Sequence, residues 1–247
     1  MPSSTRALPV LIALATGGFA IGTTEFATMS LLPFIQRGFD LDPSTAGHII
    51  SAYALGVVFG APVITVLAAR VARKPLLIVL MAVFALGNTL SALAPSYGWL
   101  MVFRFLSGVP HGAYFGLASL VAASVVDPGK RTQAVGYVML GLTVATVVGV
   151  PLATWLGNLA GWRSGYWVIA ALALLAATLI AVFAPRDRAS STASPLRELG
   201  ALARASVWLT LAIGAIGFGG LFAVYTYLTS TLDEVTGMNA YWIGSYA

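Results

Sequence analysis

Residues 8–35 read LPVLIALATGGFAIGTTEFATMSLLPFI, a run of 28 residues in which Glu25 is the only charged residue. A helix needs about 20 predominantly apolar residues to cross the hydrocarbon core of a bilayer, so this run predicts a transmembrane helix. A carboxylate in that core costs roughly 2.5 to 3.5 kcal/mol on insertion scales. We therefore expect Glu25 to pair with another group, to titrate, or to contact a part of the molecule that moves.

The whole chain is more apolar than a water-soluble protein. Hydrophobic residues make up 59% and charged residues 9% of it, whereas soluble domains contain about 25% charged residues. The first apolar run exceeds the roughly 7 to 15 residues of a signal peptide, so we interpret it as a retained first span. The sequence has no cysteine, which excludes disulfides and thiolate metal sites within it. This composition indicates a polytopic membrane protein.

Further uncharged stretches divide into six more predicted spans. Proline, glycine and charged turns separate them, and continuous apolar runs favour helices over a barrel, whose strands would alternate. Residues 238–247 are interpreted as the start of an eighth span. The seven predicted spans, numbered one to seven, are residues 9–34, 45–69, 76–94, 99–125, 133–159, 165–184 and 207–231.

The net charge of +5 is concentrated in one set of loops. Ten basic residues lie on one side of the predicted spans, Arg37 and Arg163 lie on the other, and Arg104 lies within span four. Cytoplasmic loops carry an excess of Lys and Arg, so the N-terminus is predicted to be cytoplasmic. The pattern fits an anionic membrane surface rather than a nucleic-acid partner. The ten residues are Arg6, Arg70, Arg73, Lys74, Lys130, Arg131, Arg186, Arg188, Arg197 and Arg204.

Residues 185–206 are charged and rich in Ser and Ala, which indicates a cytoplasmic linker. After it the pattern begins again, because ISAYA at residues 50–54 matches IGSYA at residues 243–247, an offset of 193. Parallel repeats of six spans are a transporter architecture. We expect a six-helix N-terminal bundle in residues 1–184 and the incomplete start of a C-terminal bundle in residues 207–247. The chain is accordingly interpreted as a fragment of a longer protein.

Small residues and proline punctuate spans four and five. Gly108, Gly112 and Gly116 form two overlapping GxxxG steps, a pattern that lets membrane helices approach closely. Pro151 removes a backbone donor and favours a bend in span five, close to Gly149. Tight packing alone explains this pattern, and sliding or rocking contacts are the functional alternative.

Several short motifs resemble the major facilitator superfamily, in its twelve-span drug:proton antiporter branch of arabinose-efflux and chloramphenicol-resistance type permeases. Residues 22–26, GTTEF, are similar to the span-one signature of that branch. Arg104 with Gly108 resembles an R-x-x-x-G motif, and residues 149–151, GVP, resemble a span-five motif in which Gly and Pro are adjacent. The loop after span two is similar to the motif G-x-L-A-D-R-x-G-R-K at Leu67, Ala68, Arg70, Arg73 and Lys74, with Ala69 where Asp is usual.

The resemblance implies an all-α integral membrane protein of major facilitator-type fold. It would have a complete six-helix N-terminal bundle, span seven and the start of span eight. The resemblance also implies a conformational or packing role for Gly108, Gly149, Pro151, Arg70, Arg73 and Lys74, and the GxxxG spacing indicates the same role for Gly112.

Three polar side chains fall at related depths in the predicted spans. At 1.5 Å per residue, Glu25 lies roughly 15 Å below the outer end of span one, while Arg104 and His111 lie roughly 8 and 18 Å below that of span four. The seven-residue spacing of Arg104 and His111 places them on one helix face. Depth and helix face therefore permit a Glu25–Arg104 contact if spans one and four are neighbours, as the resemblance implies.

Three interpretations of this set remain open. It is a static salt bridge, a site whose protonation changes during transport, or a Glu25 that faces a solvated vestibule without a coupling role. In the second case Arg104 is the fixed positive partner. His111, with an ordinary pKa near 6.5, joins a proton relay or else bonds to a backbone or hydroxyl group. Tyr53 and Asn88 are weaker polar candidates, since no spacing assigns them a role.

Aromatic residues recur on span seven with the spacing of one helix face. They are Phe218, Phe222 and Tyr225. The resemblance implies that span seven lines a central cavity opposite span one, where Thr24 and Thr28 lie near Glu25. These five residues are the expected lining for an apolar or cationic substrate, and aromatic side chains that only pack or face lipid are the alternative.

The expected function is antiport, the proton-coupled efflux of a drug or a sugar across the inner (plasma) membrane by alternating access. The expected partners are the small molecule, protons and lipid, for a monomer without a cofactor.

A non-transporting fragment is the alternative. A seven-span receptor fits poorly, because such proteins place the N-terminus outside and span seven has no Lys for a Schiff base. No P-loop motif occurs and the only histidines are His48 and His111, so ATP hydrolysis, a metal centre and an enzyme lack support.

Overall fold

The computed structural model describes residues 7–68, 70–186 and 200–236. Within these ranges seven helical segments are long and apolar enough to cross a membrane, which confirms the all-α membrane fold and the predicted number of spans. The predicted eighth span and most of the predicted linker lie outside the described residues. Spans one to seven are Ala7–Ser30, Pro43–Ala68, Arg73–Ala92, Tyr97–Ser124, Pro128–Ala160, Arg163–Phe183 and Ala205–Leu228.

The helix of span one ends at Ser30, earlier than the predicted residue 34. A separate short helix, Leu32–Phe39, follows it and carries Pro33 in its first turn. Proline suits the first turn because the N–H that it lacks would have no partner inside the helix there. The short helix is terminated by Asp40, whose φ of 53° lies in the left-handed region that Asp tolerates.

Span one lies inside the bundle and packs against spans five and six. Span four packs against spans two and three, span three also packs against span six, and span seven contacts span one. The buried core includes Leu14, Phe84, Tyr114 and Tyr166, each with less than 2% of its surface exposed. Large apolar residues on the outside of the bundle are exposed instead, as expected for helices that face lipid tails as apolar as leucine.

Spans two and four approach each other through glycine. A methyl group added at Gly108 would overlap the backbone carbonyl oxygen of Tyr53, and one added at Gly112 would lie 2.8 Å from the Cβ of Ala61. Gly116, the third member of the pattern, has nothing within 4 Å of such a methyl group. Close helix contact therefore depends on the first two glycines of the three.

Span five is not a uniform α-helix, because a π-helical turn interrupts it before Pro151. Pro151 has no N–H and its ring collides with the carbonyl group one turn earlier, so a wider turn relieves the clash. The N–H of Val150 bonds to the carbonyl oxygen of Ala145. Gly149 faces span one, where an added methyl group would overlap the hydroxyl of Thr23. The segments are a 3-10 turn at Pro128–Lys130, an α-helix at Arg131–Val144, a π-helix at Ala145–Gly149 and an α-helix at Val150–Ala160.

The loop between spans two and three carries the basic residues singled out in the sequence. Arg70 and Arg73 are exposed. Lys74 is partly buried, and its Nζ donates a 2.7 Å hydrogen bond to the carbonyl oxygen of Ala184. This bond ties the start of span three to the end of span six.

Span seven is the start of a longer helix, Ala205–Thr236, which follows a 3-10 turn at Gly200–Ala203. Most of its described side chains are exposed. Two contacts join it to the rest of the described chain: Phe222 and Tyr225 reach the aromatic ring of Phe26 on span one, and the Tyr227 hydroxyl lies beside Gly47 on span two.

Candidate functional site

Glu25 lies on span one with its side chain half-buried. Residues on both sides of it are buried, among them Thr24 and Thr28, so the carboxyl group lies at a partly exposed position on an otherwise buried stretch of the helix. Because the rest of residues 8–35 is uncharged, any charged partner must come from another helix. The structure brings span four, with Arg104, to this region.

Arg104 is almost completely buried, with 1% of its surface exposed. Its guanidinium lies over the ring of Tyr53 on span two, 4.3 Å from the ring centre, and 5.5 Å from the ring centre of Tyr166 on span six. Nη1 donates a 3.5 Å hydrogen bond to Oγ of Ser107, and among the described residues Nε has no hydrogen-bond partner. Two aromatic faces therefore hold this cation, each able to contribute about 0.5 to 2 kcal/mol.

Glu25 and Arg104 interact through the electric field rather than through a direct bond. The charge of Arg104 acts on the Glu25 carboxyl, and both charges act on the hydroxyl of Tyr53. Over the ranges 7–68, 70–186 and 200–236, however, no ion pair joins the two side chains. Isolated charges are costly in a medium of low dielectric constant, and the aromatic rings beside Arg104 offset part of that cost.

His111 reaches the same cluster through Tyr53. Its Nδ1 lies 2.9 Å from the Tyr53 hydroxyl, within hydrogen-bond distance, and its ring packs beside that of Phe115 with centres 5.4 Å apart. The tyrosine thus contacts the guanidinium with its ring and the imidazole with its hydroxyl. Of the two weak polar candidates, Tyr53 is the one that contacts both Arg104 and His111.

Thr24 and Thr28 lie inside the packing between helices, and both are almost fully buried. Oγ1 of Thr24 donates a 2.8 Å hydrogen bond to Oδ1 of Asn88 on span three. Oγ1 of Thr28 donates to the carbonyl oxygen of Thr24 at 2.8 Å and lies 3.3 Å from the hydroxyl of Tyr166. Because its one proton is used, Thr28 accepts from Tyr166. This network fixes the second ring beside Arg104.

Of the three span-seven aromatic residues, two contact span one and the third is exposed. Phe222 stacks on Phe26 with ring centres 5.7 Å apart, and Tyr225 meets the same ring edge-on at 5.8 Å. Phe218 is 65% exposed. The Tyr225 hydroxyl is buried and, within the described part of the chain, has no hydrogen-bond partner. Sequence reasoning missed Phe26, although its place directly after Glu25 was a usable signal.

The chain resembles known membrane transport proteins over almost its whole length. Residues 14–247 match the model of the Major Facilitator Superfamily. The Inner membrane transport protein YdhP of Escherichia coli K12 is 46% identical over 226 residues, which cover 92% of this chain and 58% of that protein. A Chloramphenicol resistance protein of Streptomyces lividans is 32% identical over 240 residues, which cover 96% of this chain and 61% of that protein.

A solved structure shares the arrangement of the helices. It is a bacterial homologue of the human lysosomal transporter Spinster in an inward-facing, unoccupied conformation, with a TM-score of 0.75 and 20% sequence identity. The match covers 98% of this chain and 58% of that structure. The chain thus spans somewhat more than half the length of the proteins to which it is similar. By its matching family model and its seven membrane-length helices, the chain belongs to the Major Facilitator Superfamily and is a multi-pass membrane protein.

Proposed function

We propose that the protein is a proton-coupled secondary transporter that exports a small molecule across the inner membrane. The observation that carries this proposal is the relation of Glu25 to Arg104: a lone, half-buried carboxyl group acts electrostatically on a buried guanidinium that is not paired with it among the described residues. Membrane interiors rarely retain such groups without a functional reason.

The proposed coupling depends on two opposing influences on one carboxyl group. Removal from water favours the neutral acid, and a nearby guanidinium favours the carboxylate. A movement that changes the Glu25–Arg104 separation therefore decides whether Glu25 holds its proton. Arg104 stays charged throughout, because a guanidinium does not deprotonate in proteins. His111 is proposed as the next proton carrier, and its hydrogen bond to Tyr53 supports this role.

Transport is proposed to proceed by alternating access between two bundles, and the spans within the first bundle, which holds both Glu25 and Arg104, would shift against one another as the bundles rock. Spans one to six would form the first body, and span seven would begin the second after a cytoplasmic linker. The small contact of span seven, through Phe222 and Tyr225 on Phe26 and through Tyr227 beside Gly47, supports such a division. Packed bodies with a small mutual contact can rock without losing much buried surface. The basic loop residues support a cytoplasmic N-terminus.

The substrate is proposed to be an amphipathic drug or a sugar that binds between spans one and seven. The rings of Phe26, Phe222 and Tyr225 provide an apolar surface, and the buried Tyr225 hydroxyl provides a polar contact. Aromatic surfaces with a few polar groups are typical of small-molecule sites. Similarity to a chloramphenicol resistance protein supports a drug, and similarity to a Probable sugar efflux transporter of Helicobacter pylori supports a sugar.

Transport in proteoliposomes with an imposed pH gradient tests the proposal. A panel of amphipathic drugs and pentoses is offered, and uptake is compared for the native chain, Glu25→Gln and the control Asp40→Asn. Both variants replace a carboxyl group by an amide, but Asp40 is exposed and lies outside the spans. We expect only Glu25→Gln to abolish gradient-driven transport. Normal uphill transport by that variant would exclude Glu25 as the coupling group.

A further inference from the structure

A buried arginine beside a carboxyl group is ordinarily expected to pair with it, and here it does not. The guanidinium of Arg104 instead lies over Tyr53, 4.3 Å from the ring centre, and more distantly over Tyr166 at 5.5 Å. Distance favours Tyr53 as the stronger of the two aromatic partners, since the attraction to a ring face weakens with separation. Close packing against span four holds the tyrosine in that place.

The backbone of Tyr53 is fixed against span four. Its carbonyl oxygen lies so close to Gly108 that a methyl group there would overlap it. Gly108 is one helical turn from Arg104, so the tyrosine and the arginine belong to one rigid contact between spans two and four. Tyr53 is itself only 3% exposed. The ring therefore has little freedom to leave the guanidinium unless the two helices move apart.

The two ends of the Tyr53 side chain face different groups. Its ring contacts Arg104, and its hydroxyl lies 2.9 Å from Nδ1 of His111. The titratable and charged groups that act on it are Glu25 from span one and Arg104 and His111 from span four. Each of the three residues to which we assign a role in proton coupling is thus in contact or in electrostatic interaction with Tyr53.

We propose that Tyr53 is a positioning residue, whose ring holds the Arg104 guanidinium near Glu25 but out of ion-pair contact, and whose hydroxyl joins this cluster to His111. The inference rests on the proposed proton coupling, which Tyr53 would regulate by setting the Glu25–Arg104 separation. When spans two and four separate, the guanidinium is released toward the carboxyl group. Without the ring, the two charges would pair for a larger share of the time, and proton exchange at Glu25 would slow.

A double-mutant cycle on thermal unfolding tests the pairing independently of transport. Tyr53→Leu and Arg104→Gln are measured singly and together in detergent, and a direct contact predicts that their effects are not additive. Tyr114→Leu is the matched control, because Tyr114 is an equally buried tyrosine bonded to Leu14 rather than to Arg104, and its effect should add to that of Arg104→Gln. Additive effects for Tyr53 and Arg104 would overturn the pairing, whether or not the protein transports.

Gradient-driven transport then distinguishes the role of the Tyr53 ring from the role of its hydroxyl group. Tyr53→Leu should lower it by about tenfold, as expected for the loss of one desolvated cation–π contact. Tyr53→Phe, which keeps the ring, should restore the rate but change its dependence on pH, because His111 loses its partner. Equal loss in both variants, or no loss in Tyr53→Leu, would overturn the positioning role. If transport by the native chain does not respond to the pH gradient, the proposed function is wrong. The unfolding cycle still tests whether Tyr53 and Arg104 interact.

Discussion

The hydroxyl of Tyr114 on span four donates a 2.7 Å hydrogen bond to the backbone carbonyl oxygen of Leu14 on span one. Both side chains are completely buried. Gly17, less than one helical turn further along span one, makes room for this bond, since a methyl group there would overlap the Tyr114 hydroxyl. Spans one and four are therefore joined directly at a point away from Glu25 and Arg104.

Tyr114→Phe should lower the stability of the bundle by about 1 kcal/mol, the usual net contribution of one hydrogen bond. Thermal unfolding of the purified protein in detergent measures this change. The control is Tyr137→Phe on span five. Because Tyr137 is 44% exposed, loss of its hydroxyl group should leave the unfolding temperature unaltered. An unchanged unfolding temperature for Tyr114→Phe would mean that this bond does not stabilise the contact of spans one and four.

Gly108→Ala should destabilise the protein by about 1 to 3 kcal/mol, because the added methyl group meets the Tyr53 backbone, which cannot rotate away. Gly116→Ala, on the same helix, has open space around it and should be neutral. The two unfolding temperatures, measured side by side, check the prediction. Equal effects at the two positions would contradict the close approach of spans two and four at Gly108.

Phe222→Ala should weaken binding of an amphipathic aromatic drug by about tenfold, given that an aromatic pair contributes roughly 0.5 to 1.5 kcal/mol beyond its buried area. Phe218→Ala is the matched control, since the Phe218 ring is 65% exposed whereas that of Phe222 stacks on Phe26. Equilibrium binding of radiolabelled drug to the reconstituted protein gives both values. Weaker binding in the Phe218 variant alone would move the site elsewhere on span seven.

Asp42 provides a pH-dependent contact outside the membrane. Hydrogen bonds from the side chain and backbone of Thr45 hold the pKa of the Asp42 carboxyl below its ordinary value, and the Thr45 N–H lies 2.9 Å from Oδ1. A carboxyl group whose pKa is lowered by folding stabilises the folded state above its unfolded pKa, and this contribution disappears as pH falls through the lower folded value.

Unfolding temperature should therefore decline as the pH falls below about 4, the ordinary range of aspartate. Asp42→Asn keeps an oxygen that accepts a hydrogen bond from Thr45 but cannot titrate. The difference in unfolding temperature between this variant and the native chain should therefore be constant above that pH and should shrink below it. A difference that does not change with pH would rule out Asp42 as a contributor to acid sensitivity.

The spans were predictable because each depends on one local property, an uncharged run of about 20 residues. The helix contacts were less predictable. The sequence shows Gly108, Gly112 and Gly116 at equal spacing, yet the third faces open space. Which glycines meet a neighbour depends on where a second helix crosses, and this is a property of the packed bundle rather than of the pattern.

The polar cluster was predicted only in part. Depth and helix face pointed to Glu25, Arg104 and His111, and the structure places all three around one region. The residue between them, Tyr53, had no informative spacing, because its partners lie on other helices. The prediction of a Glu25–Arg104 contact rested on depth and helix face and omitted the competition from aromatic ring faces, which attract a desolvated guanidinium.

Span five contains the feature with the widest mechanical consequence. Its π-helical turn at Ala145–Gly149 shifts the register of backbone hydrogen bonds, and Pro151 offers no donor to restore it. The ladder that stiffens an ordinary helix is therefore weakest there, midway along the span. Thermal bending of the bundle should concentrate at this joint, with the segments on either side, Arg131–Val144 and Val150–Ala160, behaving as two stiff rods.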